Sequence, residues 1–191
     1  MQITIKHNFP EVQRQLNALQ EDIARKATAG ALNKTIAQAK TAMSKEIRAE
    51  FMLSAREVND ALFISKASAM GGEFRLQASL SSISQRGKRS LNLAHFAARQ
   101  TRKGVSFKIS RKGGRKTIPG SFLINGGKTV MIRTGKSRLP IKALQTIDVA
   151  QMFNTKRINS KVIDMIKSKF PDIFEHEAKF FTEKFNALKA A

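Results

Sequence analysis

The sequence has no cysteine, no tryptophan and no tyrosine, and none of its 14 acidic residues falls between Phe74 and Ile147. Without cysteine there is neither disulfide nor thiolate chemistry, so stability has to come from packing or assembly. Without Trp and Tyr the aromatic load falls on 13 Phe, a residue with no polar handle whose ordinary role is core or interface packing. Long apolar runs are missing as well, and none approaches the length that spans a bilayer. Met1 to Lys6 lacks the basic region and apolar core of a secretory signal, so the chain is expected to be soluble and cytoplasmic when made.

What the acid-free stretch does hold is 17 of the 35 Lys and Arg residues and 8 of the 11 Gly. It therefore supplies +17 of the formal net charge of +21. Charge so concentrated, with no acid to pair it internally, repels itself in a compact fold unless a polyanion or counterions screen it. An acidic partner is expected, and nucleic acid, an acidic protein surface and an anionic membrane all qualify. At 191 residues the chain can bury one sizeable core, so one α+β domain over 1–191 is expected. Its parts are an amino-terminal strand and long helix (1–53), a basic β-rich region (54–147) and carboxy-terminal helices (148–191).

Gln2 to Lys6 alternates like a short strand, and Asn8 before Phe9-Pro10-Glu11 resembles a helix cap. Val12, Leu16, Leu19, Ile23 and Ala27 then recur at helical spacing, and Leu32, Ile36, Ala39, Met43 and Ile47 repeat the pattern after a slip at Gly30. A rod continuous to Phe51 would be on the order of 60 Å long. Either it breaks near Thr28–Gly30 or part of its stripe packs on another subunit. Ser54-Ala55-Arg56-Glu57 caps a short helix. Strand signals follow over Phe63–Ser68, over Phe74, Leu76, Ala78 and Leu80, and over Leu91, Leu93 and Phe96. They continue over Val105–Ile109, Thr117-Ile118, Phe122–Ile124 and Thr129–Ile132, with turns at Gly113-Gly114 and Asn125-Gly126-Gly127. Ser81–Ser90 has no periodicity and reads as a mobile basic loop.

Beyond Pro140 the period lengthens again. Asp148 caps a helix through Phe153, Ser160 is expected to cap another, and Pro171-Asp172 to open the last. In that last helix Phe174, Ala178, Phe181, Phe185 and Leu188 recur at the spacing of a helix–helix seam, which makes Phe174, Phe181, Phe185 and Leu188 candidate subunit-interface residues.

Enzyme chemistry finds little support. His7, His95 and His176 stand alone, with no partner at metal-ligand spacing, and the basic region offers no carboxylates for acid–base work. Gly126-Gly127-Lys128-Thr129 and Gly135-Lys136-Ser137 echo the end of a phosphate-binding loop, but its first Gly is replaced by Phe122 and Val130, and both are better read as turns. No catalytic residue, metal site or cofactor is assigned. Sequence-blind contact with phosphates suits the basic region; base-specific readout does not, because no recognition helix, zinc spacing or aromatic RNA-binding motif is present.

Three tracts resemble a known family. They are Phe96-Ala97-Ala98-Arg99-Gln100-Thr101-Arg102-Lys103-Gly104-Val105, Ile118-Pro119-Gly120-Ser121-Phe122 and Arg133-Thr134-Gly135-Lys136-Ser137-Arg138-Leu139-Pro140-Ile141. Together with Ala31-Leu32-Asn33 in the long helix, they are similar to the prophage minor tail protein Z family, the tail-completion proteins of lambda-like phages. The resemblance covers most of the chain. It implies a virion structural protein acting late in tail assembly, at the head-proximal end where the tail meets the head–tail connector. It also implies a homo-oligomeric ring, tail terminator and head–tail connector proteins as neighbours, and phage double-stranded DNA as a non-specific contact. No membrane partner is expected, because the basic density lies in strands and loops while the helices carry mixed charge.

Arg86, Lys88 and Arg89, together with Arg111, Lys112, Arg115 and Lys116, are the leading candidates for contact with DNA or a protein partner. Arg102, Lys103, Lys136 and Arg138 are further candidates, although Arg99, Arg102, Arg133 and Arg138 lie inside the family-like tracts and so have a structural reading too. Docking on acidic neighbours is favoured over DNA for most of them, because charge complementarity also serves assembly. A sequence-independent nucleic-acid-binding protein outside any virion is the alternative.

Overall fold

The structure is a computed structural model that describes residues 2–5, 21–68, 77–82 and 90–190. In chain order its elements are β1 (Gln2–Ile5), α1 (Glu21–Glu50), α2 (Ala55–Asp60), β2 (Leu62–Ser65), β3 (Ala78–Ser82) and a 3-10 turn at Leu93–His95. Then come β4 (Arg99–Thr101), β5 (Gly104–Phe107), β6 (Lys116–Pro119), β7 (Ser121–Ile124), β8 (Thr129–Arg133), β9 (Ile141–Ala143), α3 (Val149–Phe153) and α4 (Lys156–Ala190). The class is α+β with antiparallel strand pairs. Two compact units account for the chain: Met1–Met43 with Leu62–Ser81 and Asn159–Ala191, and Ser44–Ala61 with Ser82–Ile158.

The first unit is built on helix faces. Ala27, Ala31, Leu32, Ile36, Ala39 and Met43 of α1 are buried, as are Val162, Ile166, Phe170 and Phe174 of α4, which is what apolar residues at a 3.6 period require. A three-stranded sheet in the order β1-β3-β2 adds Leu62, Ala78 and Leu80. No break occurs at Thr28–Gly30. Thr28 bonds back to the Ala24 carbonyl at 2.8 Å, and at Gly30 a Cβ would come within 2.5 Å of the Glu177 carboxylate. That carboxylate is buried and salt-bridged to Lys34. Asn33 anchors the chain after β2, its amide donating to the Ala67 carbonyl and its oxygen accepting from the Ala67 N–H, at 2.9 and 2.8 Å.

Two expected boundaries in the carboxy-terminal helices are absent. Neither Ser160 nor Pro171 starts a helix, because α4 runs unbroken from Lys156 to Ala190 with Pro171 inside it. Proline removes an N–H and disfavours a helix interior by about 3 kcal/mol. Here Pro171 and Lys167, whose carbonyl loses its donor, both lie on the exposed side, while Phe170 and Phe174 bury their rings 6.1 Å apart. Burying two Phe side chains is worth about 1.5–3 kcal/mol each, enough to carry the helix through. The Asn8 cap, the stripe residues Val12, Leu16 and Leu19, and Phe74 and Leu76 lie outside the described residues.

The second unit contains two three-stranded antiparallel sheets, β4-β5-β6 and β7-β8-β9. They share a core of Leu93, Val105, Phe107 and Val130, against which Ala98, Ile118, Leu123 and Leu144 pack. Leu91 to Phe96, expected as a strand, forms a turn instead. Asn92 caps it by accepting from the Ala94 N–H at 3.0 Å, and the same side chain exchanges two bonds with the backbone of Val130. Asn competes in this way with ladder bonding, which is why it favours turns over strands. The Ser54 and Asp148 capping boxes form as expected.

Candidate functional site

The second unit carries 21 of the 35 Lys and Arg residues and only five acids: Glu46, Glu50, Glu57, Asp60 and Asp148. All five lie on or beside its helices and none on a strand. Glu50 pairs with Arg157, its carboxylate accepting from the Arg157 Nε at 2.7 Å. Glu57 pairs with His95, and its carboxylate also accepts from the N–H and hydroxyl of Ser54 at 2.9 and 2.8 Å. Partial burial acts to raise the Glu57 carboxyl, but these hydrogen bonds and His95 outweigh it and hold the group below its ordinary value. Among the described residues, no Lys or Arg from Arg99 to Lys142 forms a salt bridge.

The structure divides these cations into two classes. Arg111 donates from Nε to the Arg48 carbonyl, while its own N–H bonds to Glu50 O at 2.8 Å. The Arg115 guanidinium reaches the Ala97 carbonyl at 2.6 Å and both the hydroxyl and the carbonyl of Ser106 at 3.0 Å. Both are therefore fasteners of the β5–β6 loop, whatever else they contact. Lys112 and Lys116 of the same segment are exposed, while Arg86, Lys88 and Arg89 lie outside the described residues.

Arg102, Lys103, Lys136 and Arg138 are also exposed and, like those of Lys112 and Lys116, their side chains form no hydrogen bond or ion pair among the described residues. Topology brings these four to one end of the unit. Arg102-Lys103 is the β4–β5 turn, and the Lys103 carbonyl accepts from the Gly120 N–H at 3.1 Å. Ser121, the next residue, opens β7 opposite Ile132 near the end of β8. From there the 134–140 loop departs and returns, closed by the Thr134 N–H donating to the Pro140 carbonyl at 3.2 Å. Ser121 is the junction. Its hydroxyl accepts from the Val105 N–H at 2.9 Å and donates to the Ile118 carbonyl at 2.6 Å. Gln100 adds a second tie, accepting from the Leu123 N–H at 3.0 Å. Arg133 is held over the Phe122 ring at 4.9 Å, a contact worth about 0.5–1 kcal/mol at an exposed site. Spacing alone did not reveal Ser121, Gln100 or Asn92 as organisers, since a single polar residue in a strand has many roles.

Of the four proposed interface residues, Phe174 is 1% exposed and belongs to the interior of its own unit. Its side chain is not at a surface, which removes it from a seam. Phe181 is half-buried, with its ring 5.3 Å from that of Phe180, itself 50% exposed. The side chains of Phe185 and Leu188 lie outside what is described.

A cavity of about 440 Å³ in the second unit is lined by Glu57, Asn92, His95, Lys128 and Asp148, among others. The three carboxylates it presents are already used: Glu57 as above, Asp60 in an ion pair with Arg56 at 3.7 Å, and Asp148 in accepting from the Gln151 N–H at 2.8 Å as a helix cap. Among the described residues, no group of three or more His, Cys, Asp or Glu could hold a metal ion, and no helix is long and apolar enough to cross a membrane.

The chain is thus an α+β protein whose β unit carries most of its cations on strands and loops and its carboxylates on or beside helices. The prophage minor tail protein Z (GPZ) family model matches residues 10–183, and the chain belongs to that family. It is thereby a structural protein of the phage tail type. No curated protein and no solved structure matches it. Ser121 and the Lys103–Gly120 bond join the first two tracts that carry the family likeness, and Arg133 over Phe122 joins the third to the second.

Proposed function

We propose that this protein completes the phage tail at its head-proximal end, making it competent for joining to the head and for passage of DNA. It works there as a ring of copies beside the tail terminator and connector proteins, with the basic unit turned to an acidic neighbour or to the DNA path. The reading is carried by family membership over nearly the whole chain, together with a unit whose strands hold no acid and whose cations from Arg99 to Lys142 form no salt bridge among the described residues. Charge of one sign on a component without a built catalytic pair suits steering and docking rather than covalent chemistry.

The test is a lysate lacking only this protein. Tails made in it are expected to reach full length and to fail at producing infectious particles when mixed with filled heads, and addition of the purified chain is expected to restore them. Infectious particles formed equally well without the chain would remove this reading.

A further inference from the structure

We infer that the end of the second unit formed by the β4–β5 turn and the 134–140 loop is a sequence-independent binding site for the phosphate backbone of duplex DNA, with Arg102, Lys103, Lys136 and Arg138 as its contacts. The inference rests on the tail reading only for where the DNA is met; the site itself is argued from the structure. Four exposed cations without partners, beside the stacked Arg133, are brought together by backbone bonds and strand register. No acid lies on any strand or loop of the two sheets. A merely solvated face interleaves charges of both signs, because like charges held together raise the energy of the folded state. These are held together with nothing to relieve them, so the relief has to come from outside.

The company they keep separates DNA from protein as the partner. Protein interfaces concentrate aromatic residues, Met and Arg at their centres and are depleted in Lys and Ser, so the arginines fit either partner and the other residues decide. Here the neighbours are Gly120, Thr134, Gly135 and Ser137, while Phe122 lies half-buried under Arg133. Cations and hydroxyls among small residues are the chemistry of phosphate contact. One exposed apolar side chain stands in the loop, Leu139 at 66%, and it distinguishes the two partners: a protein pocket would use it, whereas a phosphate track has no need of it.

The experiment measures duplex binding by the full-length chain, using fluorescence anisotropy with two unrelated duplexes of about 30 base pairs over a salt series from about 50 to 300 mM. Both duplexes are expected to bind equally. Replacing all four residues by Ala (R102A/K103A/K136A/R138A) is expected to weaken binding by about 100-fold or more at 100 mM salt, and to flatten the log–log salt slope by about 3 to 4, since each phosphate contact contributes about 0.9. K167A/K169A removes two exposed lysines from α4 and is expected to stay within about threefold, as is L139A. An unchanged thermal midpoint shows that the loop variants are folded.

Equal losses per charge removed from the loops and from α4 would overturn the site, and so would no binding at the lowest salt. If duplex binding is absent but the quadruple variant fails to restore tails in the depleted lysate, the end docks on protein; the duplex assignment then fails and the tail reading stands. If instead the chain binds duplex but is dispensable for infectious tails, the tail reading fails and the site stands.

Discussion

Phe174→Ala is expected to destabilise the protein by about 3–5 kcal/mol, the usual loss for emptying a buried Phe site, with a midpoint that does not move with protein concentration. The ring is 1% exposed, stacks at 6.1 Å on Phe170, and holds α4 in the first unit across the turn that Pro171 weakens. Removing it creates a cavity where the helix depends most on side-chain packing. Urea denaturation at two concentrations about tenfold apart separates core from seam, because a residue at a subunit contact shifts the midpoint by mass action. Phe180→Ala, a few residues on and half exposed, is expected to fall within about 1 kcal/mol as most surface changes do. A concentration-dependent loss at Phe174 would place it at a subunit contact after all.

Gly104→Ala is expected to be nearly as damaging, at about 3 kcal/mol or more, and to act on function as well as stability. Gly104 has φ +149°, a region that side chains rarely enter, and a Cβ there would lie 2.0 Å from the Ile118 carbonyl oxygen. Strain of this kind is worth about 1–3 kcal/mol, and the clash with backbone adds to it, because Gly104 pairs with Pro119 in the β5–β6 ladder. The ladder has to part at the turn that carries Arg102 and Lys103. Duplex binding is therefore expected to fall together with the thermal midpoint. Gly114→Ala is the matched control, since a Cβ there meets nothing within 4 Å, and its midpoint is expected to stay within about 0.5 kcal/mol of the parent. A Gly104→Ala protein as stable as the parent would contradict the ladder geometry.

Periodicity revealed the faces more faithfully than the ends. Leu32, Ile36, Ala39, Met43 and Ile47, read from spacing as one stripe, are all 0% exposed. The hairpin turn at Asn125-Gly126-Gly127 is as its composition requires, with positive φ at all three residues. Boundaries failed where a local signal met a tertiary one. Pro171 and Ser160 carry starting signals, but the Phe170 and Phe174 rings reward an unbroken helix. Gly30 resembles a breaker, yet it is the space that admits the Glu177 carboxylate. The turn at Leu93–His95 was hidden because Leu91, Leu93 and Phe96 alternate like a strand, while the deciding group is the Asn92 amide and its partner is Val130, 38 residues away.

The candidate site divides in the same way. Composition located the charge, since an acid-free stretch of this length is visible without coordinates. It did not sort the cations, because Arg111 and Arg115 differ from Arg102 and Lys136 only in what lies near them. The carbonyls of Arg48 and Ala97 that hold the first pair are distant in sequence. The Lys103–Gly120 bond and the Ser121–Ile132 register that gather the second set are likewise long-range. Family resemblance marked Phe96–Val105, Ile118–Phe122 and Arg133–Ile141 as three separate tracts; folding makes them one place.

Amine-reactive labelling of Lys103 and Lys136, read by mass spectrometry, is the most direct measurement of whether that place meets negative material in the particle. It would compare the purified chain, DNA-free tails and complete filled particles. Both lysines are expected to label freely in the purified chain and in DNA-free tails, and to be protected in filled particles. Labelling in filled particles as rapid as in the isolated chain would contradict the central claim.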